Sequence, residues 1–308
     1  MKRFDIAALG EGMVEFNQTR PGEPHYLQGF GGDTSNAAIA AARAGARTAY
    51  LSRVGDDVFG RDLLALWQAE GVDTSGVEAD AQAPTGLYFV SHGPAGHEFT
   101  YRRAGSAAAR MSAQWLRDGP AAGLIREARI LHVSGISLAI SREARNAAFA
   151  AMAVARENGT LISFDANLRL KLWTLEEARP AMEQAVSLAD IFLPSLDEIA
   201  LLTGLQDPQA VIAWGHALGA RTIVLKLGAQ GSIVSDGARM HTMAPLRVDA
   251  VDATGAGDCF AGNFLARLAA GDNAFDAARY ANAAAALAVQ GWGAVAPLPR
   301  PEQVRALL

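Results

Sequence analysis

Short apolar segments alternate with longer alanine-rich segments along most of this 308-residue chain. The apolar segments have the length of buried strands, and the alanine-rich segments have the length of helices. Strands are predicted at 6–9, 48–54, 130–133, 161–165, 191–193, 222–226 and 232–235. Helices are predicted at 34–46, 62–70, 142–158, 175–188, 207–219 and 275–289. The alternation predicts βαβ units, and therefore an α/β domain of three layers whose mostly parallel sheet is covered by helices on both faces.

Two segments interrupt this alternation. Residues 15–30 and 85–101 are richer in glycine, proline and aromatic residues. The second alternates like a half-exposed strand, with Leu87 and Phe89 on one side and Tyr88 on the other. We interpret the two segments as a small β lid, spanning about 13–30 and 85–104, rather than as two long surface loops. Because no linker or repeat divides the chain, residues 1–308 are predicted to form one domain with this lid.

Composition excludes several classes of function. The net charge is −5, so we expect no nucleic-acid partner and no binding to an anionic membrane. The one cysteine, Cys259, excludes an intrachain disulfide framework. The apolar run near the N-terminus is short and flanked by Asp5 and Glu11, unlike a signal peptide, and no uncharged apolar run reaches about 18 residues. A cytoplasmic protein is therefore predicted.

The most informative segment is a glycine-rich loop at 249–265, near the C-terminus. Gly255 and Gly257 let the backbone approach a ligand closely, just before a predicted helix that ends near Ala270. The N–H groups of such a loop and first helical turn form an anion site, with the positive end of the helix dipole behind it. Asp258 stands beside this site, where it can accept the proton of an attacking hydroxyl. Capping of the helix explains Asp258 equally well at this point.

A second glycine pair, Gly31 and Gly32, precedes the predicted helix 34–46. Asp33 and Asn36 follow it, and they offer acceptors and donors at a helix N-terminus, a combination suited to sugar hydroxyls. Ordinary N-capping accounts for the same residues. This segment alone does not decide between the two interpretations.

Other phosphate and metal motifs do not occur in the sequence. There is no Gly-Lys pair, which excludes a P-loop. Residues 291–296 fit a dinucleotide-binding pattern, but they follow a helical segment and lead into prolines, which contradicts that assignment. No histidine and carboxylate cluster has metal-ligand spacing. Cys259 is interpreted as a small packed thiol rather than a nucleophile.

Taken together, the two glycine segments resemble the ribokinase-like (phosphofructokinase B) family of carbohydrate kinases. The motifs that carry the resemblance are Gly31-Gly32-Asp33-Thr34-x-Asn36 and Asp252-x-Thr254-Gly255-Ala256-Gly257-Asp258-x-Phe260, with further landmarks at 55–60 and 225–231. The similarity extends over essentially the whole chain. It implies a nine-stranded type of α/β core, a β lid over the sugar, and ATP-dependent phosphorylation of a sugar hydroxyl.

The resemblance also implies roles for individual residues. Asp258 would be the general base, and the N–H groups of Gly255, Ala256 and Gly257 would form the anion hole. The sugar-binding residues that the resemblance implies at the first motif are Gly32, Asp33 and Asn36.

Further segments resemble those family members that phosphorylate 2-keto-3-deoxygluconate, a sugar acid. Tyr101 and Arg103 match the lid strand, and Arg169 belongs to a strand-end motif at 164–173 and is implied to reach the substrate carboxylate. Tyr88 is a third candidate for contact with the substrate, and packing within the lid is the alternative for this residue. A sugar acid needs a cation that a neutral sugar does not, and the arginine fork matches a carboxylate. The expected product is 2-keto-3-deoxy-6-phosphogluconate.

The same reaction on fructose or ribose is the nearest alternative. A regulator that binds a sugar or nucleotide without catalysis is an alternative of another class, because fold does not determine function; the intact loop at 255–258 argues against it. A nucleoside kinase is disfavoured by the tyrosine and arginine segments.

For the nucleotide, the resemblance implies contacts from residues in the second half of the chain. These are Asn167, Lys226, Gly228 and Gly231, together with Asn282 near the adenine. Glu198 is implied to help hold hydrated Mg²⁺, although Ser195 departs from the asparagine of the family pattern. The expected cofactors are ATP and Mg²⁺, and the need for a monovalent cation stays open. Lid pairing is common in the family, which implies a homodimer or a higher homo-oligomer.

Overall fold

A computed structural model describes residues 2–93 and 96–308 of the chain. Met1 lies outside the described residues, as do Pro94 and Ala95 of the predicted lid segment 85–104. No helix in the described ranges is long and apolar enough to cross a membrane.

Strands and helices alternate over much of the chain, as predicted, and the runs β1–β3, β5–β7 and β11–β13 interrupt the alternation. The strands are β1 (Phe4–Leu9), β2 (Met13–Gln18), β3 (Tyr26–Gly31), β4 (Thr48–Gly55), β5 (Asp73–Asp80), β6 (Leu87–Gly93), β7 (Gly96–Arg102), β8 (Ala128–Ser134), β9 (Leu161–Asp165), β10 (Ile191–Leu193), β11 (Thr222–Lys226), β12 (Ser232–Ser235) and β13 (Met240–Met243). The helices are α1 (Asp33–Arg43), α2 (Val58–Ala69), α3 (Ala113–Asp118), α4 (Ala121–Arg126), α5 (Gly135–Ala139), α6 (Arg142–Glu157), α7 (Leu175–Leu188), α8 (Leu196–Thr203), α9 (Pro208–Leu218), α10 (Ala256–Ala270), α11 (Ala274–Ala288) and α12 (Pro301–Arg305).

A large sheet forms the centre of the fold. Over the described residues it contains nine strands in the order β13-β12-β11-β10-β9-β8-β1-β4-β5. Seven neighbouring strands of this sheet pair in parallel: β5, β4, β1, β8, β9, β10 and β11. Strands β12 and β13 are antiparallel to their neighbours and complete one edge. The prediction of a mostly parallel sheet is confirmed. The carboxyl ends of its parallel strands therefore lie side by side at one end of the sheet, where α/β proteins bind ligands.

Two strands of this sheet were missed in the sequence. They are β5 (DTSGVEAD) and β13 (MHTM), which form the two edges and are largely exposed or half-buried. An edge strand buries little apolar surface, so it lacks the continuous apolar run by which the inner strands were recognised. Helix bounds also differ slightly: α2 begins four residues before the predicted 62–70, because the Asp57 side chain accepts a hydrogen bond from the Gly60 N–H and caps it.

Helices cover both faces of the large sheet, which gives the predicted three layers. On one face, α1, α2, α10 and α11 bury side chains such as Ile39, Trp67 and Phe264. On the other face, α4, α6, α7 and α9 contribute to one core cluster that contains Phe164 and Phe192, whose stacked rings have centroids 6.1 Å apart. This buried apolar surface is the main stabilising contribution to the fold.

The two segments predicted to form a lid supply a separate four-stranded sheet in the order β3-β2-β6-β7. We call it the small sheet. One of its faces carries Met13, Tyr88 and Phe99 towards the end of the large sheet, and the other packs Phe16 edge-on against Phe59 of α2. The chain passes from the small sheet into α1 at Gly32, with a φ of 107°. A Cβ there would lie 2.2 Å from the Glu11 carbonyl oxygen, so only glycine fits this crossing.

Candidate active site

A cleft of about 720 Å³ separates the small sheet from the carboxyl ends of the large sheet. Its floor is formed by Asp33 and Asn36 of α1, Asp165 at the end of β9, Lys226 at the end of β11, and Asp258 of α10. Its roof is formed by Tyr88, Phe99, Tyr101 and Arg103 from the small sheet and the residue after it. These two sets of residues are called the floor and the roof below.

The glycine-rich loop forms the N-terminus of α10 at one end of the floor. Gly255 has a φ of 74°, and a Cβ on it would lie 2.9 Å from the Ala294 Cβ. Within the described residues, the N–H groups of Gly255 and Gly257 have no protein acceptor, whereas the Ala256 N–H donates to the Ala253 carbonyl oxygen at 3.2 Å. Two of the three predicted anion-hole donors thus have no acceptor in the described part of the chain, and the third donates within a turn.

The loop is held by Asp252, which precedes it. One carboxylate oxygen of Asp252 accepts hydrogen bonds from the N–H and hydroxyl of Thr254, at 2.9 and 2.6 Å. The other accepts from the Gly293 N–H at 2.9 Å, which joins the loop to the segment at 291–297. The backbone that would surround an anion is therefore fixed before the anion binds.

Asp258 lies in the first turn of α10, and Asn36 of α1 contacts it. The Asn36 amide nitrogen donates to Asp258 Oδ2 at 2.8 Å, although the two residues are 222 positions apart in the chain. Burial raises the pKa of Asp258 well above the usual range of a carboxyl, and the negative charge of Asp33 raises it further. A carboxylate with a raised pKa is a stronger base towards a hydroxyl proton.

Asp33 and Asn167 lie together on the floor. The Asn167 amide nitrogen donates to Asp33 Oδ2 at 3.2 Å, and Asn167 has a φ of 35°, in the left-handed region. Burial raises the pKa of Asp33 as well. Asn167, expected on the nucleotide side, thus contacts a residue expected to bind the sugar. The side-chain oxygens of Asn36 and Asn167 are buried and receive no hydrogen bond from any residue that the structure describes, so both are acceptors that a ligand hydroxyl can fill.

Lys226 carries the positive charge of the floor. Its Nζ donates to both carboxylate oxygens of Asp165, at 2.8 and 2.9 Å. It also faces the loop of α10, because a Cβ on Gly257 would lie 3.6 Å from Nζ. Burial lowers the pKa of Lys226, but the carboxylates of Asp165 and Glu198 outweigh burial and raise it. Lys226 is therefore a fixed cation beside the anion site.

Glu198 and Arg169 form an ion pair at the mouth of the cleft. Arg169 Nη1 lies 3.3 Å from Glu198 Oε1, and the Arg169 side chain is 50% exposed. Glu198 also accepts from the Ser195 N–H at 3.3 Å, and burial raises the pKa of Glu198. In the described ranges no group of three or more His, Cys, Asp or Glu side chains can hold a metal ion. Glu198 can still fit a hydrated Mg²⁺ carried by a nucleotide, since Mg²⁺ in kinase sites is held by one or two carboxylates and the phosphates.

Acidic partners hold two of the polar side chains of the roof. The Tyr88 hydroxyl donates to Glu15 Oε2 at 2.5 Å, and burial together with the Glu15 charge raises the pKa of Tyr88. Arg103 Nε donates to Glu11 Oε2 at 2.7 Å. Tyr101 lies beside Tyr88, with ring centroids 5.9 Å apart.

Three predicted nucleotide residues lie outside the lining of this cleft. Gly228 and Gly231 occupy the turn between β11 and β12, with φ values of 57° and 89°. Asn282 of α11 accepts a hydrogen bond from the Ser232 hydroxyl at 3.3 Å, next to the antiparallel edge of the sheet. All three lie on the Lys226 side of the molecule, and their roles stay predictions.

The acidic partners Glu11, Glu15 and Asp165 were not predicted as site residues. Each had a signal in the sequence: Glu11 follows the first strand directly, Glu15 lies in the lid segment, and Asp165 ends a buried strand. A carboxylate in such a position requires a partner when it is buried. The sequence does not show which cation or hydroxyl provides it.

A mostly parallel sheet, a cleft at the carboxyl ends of its parallel strands, a loop with free amides at a helix N-terminus and a separate small sheet over the cleft are the arrangement that the resemblance to ribokinase-like carbohydrate kinases implies. Residues 3–301 match the sequence model of the pfkB family carbohydrate kinases, and the chain belongs to this family. The predicted family and fold are thereby confirmed.

Individual relatives cover almost the whole chain. It is 36% identical to a 2-dehydro-3-deoxygluconokinase of Thermoproteus tenax, over 99% of this chain and 94% of the relative. It is 33% identical to fructokinase-1 of Zea mays, over 98% of this chain and 97% of the relative. The crystal structure of a Vibrio cholerae fructokinase with fructose, ADP and calcium ion superposes with a TM-score of 0.87, at 30% identity, over 98% of each chain.

Proposed function

We propose that this protein transfers the γ-phosphoryl group of MgATP to the terminal hydroxyl of 2-keto-3-deoxygluconate. The products are 2-keto-3-deoxy-6-phosphogluconate and ADP. The observation that carries the proposed reaction is the position of Asp258, held by Asn36 beside the free amides of Gly255 and Gly257. This arrangement joins a base for a hydroxyl with a site for a phosphate.

The proposed step is an in-line displacement. The substrate oxygen forms a bond to the γ-phosphorus, while the bond from that phosphorus to the oxygen of the leaving ADP breaks. Asp258 takes the hydroxyl proton. The N–H groups of Gly255 and Gly257, with Ala256 between them, stabilise the negative charge on the transferring group, and each such donor is worth about 3–4 kcal/mol. Lys226 adds a positive charge on the same side.

The cation set of the cleft supports an acidic sugar. Arg103, Arg169 and Lys171 all line the space beside the floor. Arg169 is half-exposed and its contact with Glu198 is long, so its guanidinium can turn towards a ligand carboxylate, while Glu198 keeps the Ser195 N–H donor and the nearby positive charge of Lys226. The 2-dehydro-3-deoxygluconokinase relatives favour the same substrate.

Mg²⁺ would enter with the nucleotide as MgATP, neutralising charge on the phosphates, with Glu198 as the protein carboxylate nearest to that role. The nucleotide would lie along the loop at 255–257 and the turn at 228–231, towards Asn282. The roof would exclude water and so suppress ATP hydrolysis. A cytoplasmic location and a homo-oligomer stay predictions.

A neutral sugar such as fructose is the second candidate, and a specific observation favours it. The arginines of the cleft already have carboxylate partners, Glu11 for Arg103 and Glu198 for Arg169. The charge available to a substrate carboxylate is reduced accordingly. The fructokinase of Zea mays is 33% identical to the chain, little below the 36% identity of the 2-dehydro-3-deoxygluconokinase of Thermoproteus tenax.

The deciding experiment measures ADP release from MgATP in a coupled assay with four sugars at matched concentrations: 2-keto-3-deoxygluconate, its galactonate epimer, fructose and ribose. We expect the keto-deoxy acids to give the highest kcat/KM. A preference for fructose or ribose would keep the reaction and the role of Asp258, and would refute the acid-binding site. ADP release that is independent of any sugar would refute sugar phosphorylation itself.

A further inference from the structure

A buried carboxylate at the end of the first strand connects the two sheets. Glu11 follows β1 and is 1% exposed. Its Oε2 accepts from Arg103 Nε at 2.7 Å, and Arg103 Nη2 contacts the same oxygen. Its Oε1 accepts from the Ser106 hydroxyl at 2.5 Å. A carboxylate buried to this extent is stable only when its oxygens are paired, and here both are paired to the short segment 103–106.

The contact of Glu11 with residues 103–106 joins segments of the chain that cross between the two sheets. Glu11 lies where the chain crosses from the large sheet to the small sheet, and residues 103–106 lie where it crosses back. A third crossing, before β6, also packs here, because a Cβ on Gly86 would lie 2.5 Å from Glu11 Oε1. The Ala107 N–H donates to the Pro84 carbonyl oxygen at 2.9 Å and joins two of these crossings. Glu11 therefore ties the roof to the floor at one end of the cleft.

The contact also orients the Arg103 guanidinium. A guanidinium has five N–H donors in a rigid plane, and Glu11 occupies the edge formed by Nε and Nη2. Arg103 Cζ lies 5.9 Å from the centre of the Tyr101 ring, and Arg103 lines the cleft. No described residue accepts a hydrogen bond from Nη1. The Nη1 side of the Arg103 guanidinium is thus held in one orientation, with no acceptor for its N–H groups among the described residues.

We propose that Glu11 is a positioning residue for sugar binding. It holds the Arg103 guanidinium in one orientation within the roof, so that the free edge of the guanidinium meets the substrate. This inference deepens the proposed function and rests on it for the identity of the sugar. Glu11 itself does not contact the reacting atoms. Its effect should therefore appear in the KM for the sugar and be transmitted through Arg103.

The chain offers a matched control outside the cleft. Arg43 and Glu70 form a second ion pair of low exposure, 11% and 14% for the two side chains. Arg43 Nε donates to Glu70 Oε2 at 2.9 Å and Nη2 to Oε1 at 2.7 Å. Neither residue lines the cleft between floor and roof. The Glu70→Gln variant thus reports what the loss of one buried arginine partner does to the fold alone.

The experiment compares wild type, Glu11→Gln, Ser106→Ala, Arg103→Met, Glu11→Gln/Arg103→Met and Glu70→Gln, by thermal unfolding and by steady-state kinetics with the preferred sugar and with MgATP. For Glu11→Gln we expect the sugar KM to rise about tenfold, as for a lost hydrogen bond to a charged group. The KM for MgATP should change by less than about twofold, within the scatter expected of an independent site. For Glu70→Gln we expect lower thermal stability with both KM values unchanged.

The double variant tests whether Glu11 acts through Arg103. In the Arg103→Met background, Glu11→Gln should add less than about a twofold change in the sugar KM, because non-additivity identifies coupled residues. An effect of Glu11→Gln that is equally large without Arg103 would overturn the proposal. So would a Glu11→Gln variant that only loses stability, like Glu70→Gln. If Glu11→Gln or Arg103→Met does not fold, Ser106→Ala keeps both charges and must still raise the sugar KM selectively; unchanged sugar KM in Ser106→Ala then overturns the proposal.

The proposed function is decided separately, by the wild type. A wild type that prefers fructose refutes the sugar-acid substrate, and the Glu11 variants are then measured with fructose. Failure of the positioning role is an unchanged KM for whichever sugar the wild type prefers. The two failures are therefore distinguishable.

Discussion

The floor and the roof of the cleft are held in place by different means. On the floor, Asn36 and Asp258 lie in the first turns of two adjacent helices, and Asp165 and Lys226 end two strands of the large sheet. Their positions are therefore determined by the packing of these helices and strands in the middle of the molecule. On the roof, Tyr88 and Arg103 belong to the small sheet and the segment that follows it, and they are oriented by hydrogen bonds to Glu15 and Glu11. The packing of the backbone thus positions the residues proposed for the chemical step. Hydrogen bonds between side chains position the residues that face the sugar.

The two sides also differ in charge. The floor places Asp33, Asp165 and Asp258 around one lysine, and the crowded carboxylates contribute to the raised pKa of Asp258. On the roof, Arg103 is matched to one acid, which lowers its net field towards a ligand. Substitutions on the floor should therefore change kcat most, and substitutions on the roof or at the mouth should change KM or stability.

The largest effect is expected for Asp258→Asn. An amide cannot accept the hydroxyl proton, so kcat should fall by about 10²–10⁴-fold. Thermal unfolding should show little loss of stability, because the wild-type carboxylate is destabilised by burial and by its acidic neighbour. The measurement is kcat from the coupled assay, together with binding of ADP by calorimetry. A kcat within about threefold of wild type would remove Asp258 from the role of general base.

Arg169→Met tests the mouth of the cleft. If Arg169 meets a substrate carboxylate, its loss should raise the KM for the keto-deoxy acid about tenfold, the lower part of the range for a charged hydrogen bond, because the side chain is half-exposed. The KM for fructose as a poor substrate should not change. Equal changes for acid and neutral sugar would show that Arg169 does not recognise the carboxylate. Arg3→Met, a substitution of an exposed arginine far from the cleft, is the control.

Much of the floor could be predicted from the sequence, and the pairing on the roof could not. Asn36 and Asp258 of the floor, and Gly32 beside them, lie in short local patterns whose backbone requirements, a positive φ or a helix N-terminus, can be read from neighbouring residues. The contact of Asn36 with Asp258 joins positions 222 apart, but it follows once both helices begin at the same sheet edge. The hydrogen-bond partners of Arg103 and Tyr88 depend on how the small sheet packs over the cleft. No local pattern encodes that placement, which is why Glu11 and Glu15 were missed.

Tyr88→Phe tests whether pairing holds the roof. The substitution removes the donor to Glu15 and leaves a buried carboxylate oxygen with one partner fewer. We expect the free energy of unfolding to fall by about 1–3 kcal/mol in urea denaturation, and kcat to change little. Tyr101→Phe is the matched control, because Tyr101 is 36% exposed and should lose less than about 0.5 kcal/mol. Equal losses in the two variants would mean that the contact with Glu15 contributes nothing measurable.

The smallest effect is a displacement of the pH dependence rather than a loss of rate, and it tests the crowding of charge on the floor. Asp258 acts as a base only when it is ionised, so kcat/KM should fall as the pH drops through its raised pKa. The charged side chains that influence it are Asp33, Asp165 and Lys226. Asp33→Asn removes a negative charge, which makes the ionised form of Asp258 less unfavourable, lowers its pKa and moves the acidic limb to lower pH.

Lys226→Met removes a positive charge and should move the same limb in the opposite direction, to higher pH. The measurement is the midpoint of kcat/KM against pH in each variant, which can be determined even where the maximal rate has fallen. The two carboxyls of Asp33 and Asp258 interact, so the midpoint of the wild type belongs to the pair. Opposite displacements in the two variants identify the limb with the floor. Midpoints that stay at the wild-type value would mean that the titrating group lies elsewhere, and the contrast between a charge-crowded floor and a charge-paired roof would no longer explain the catalysis.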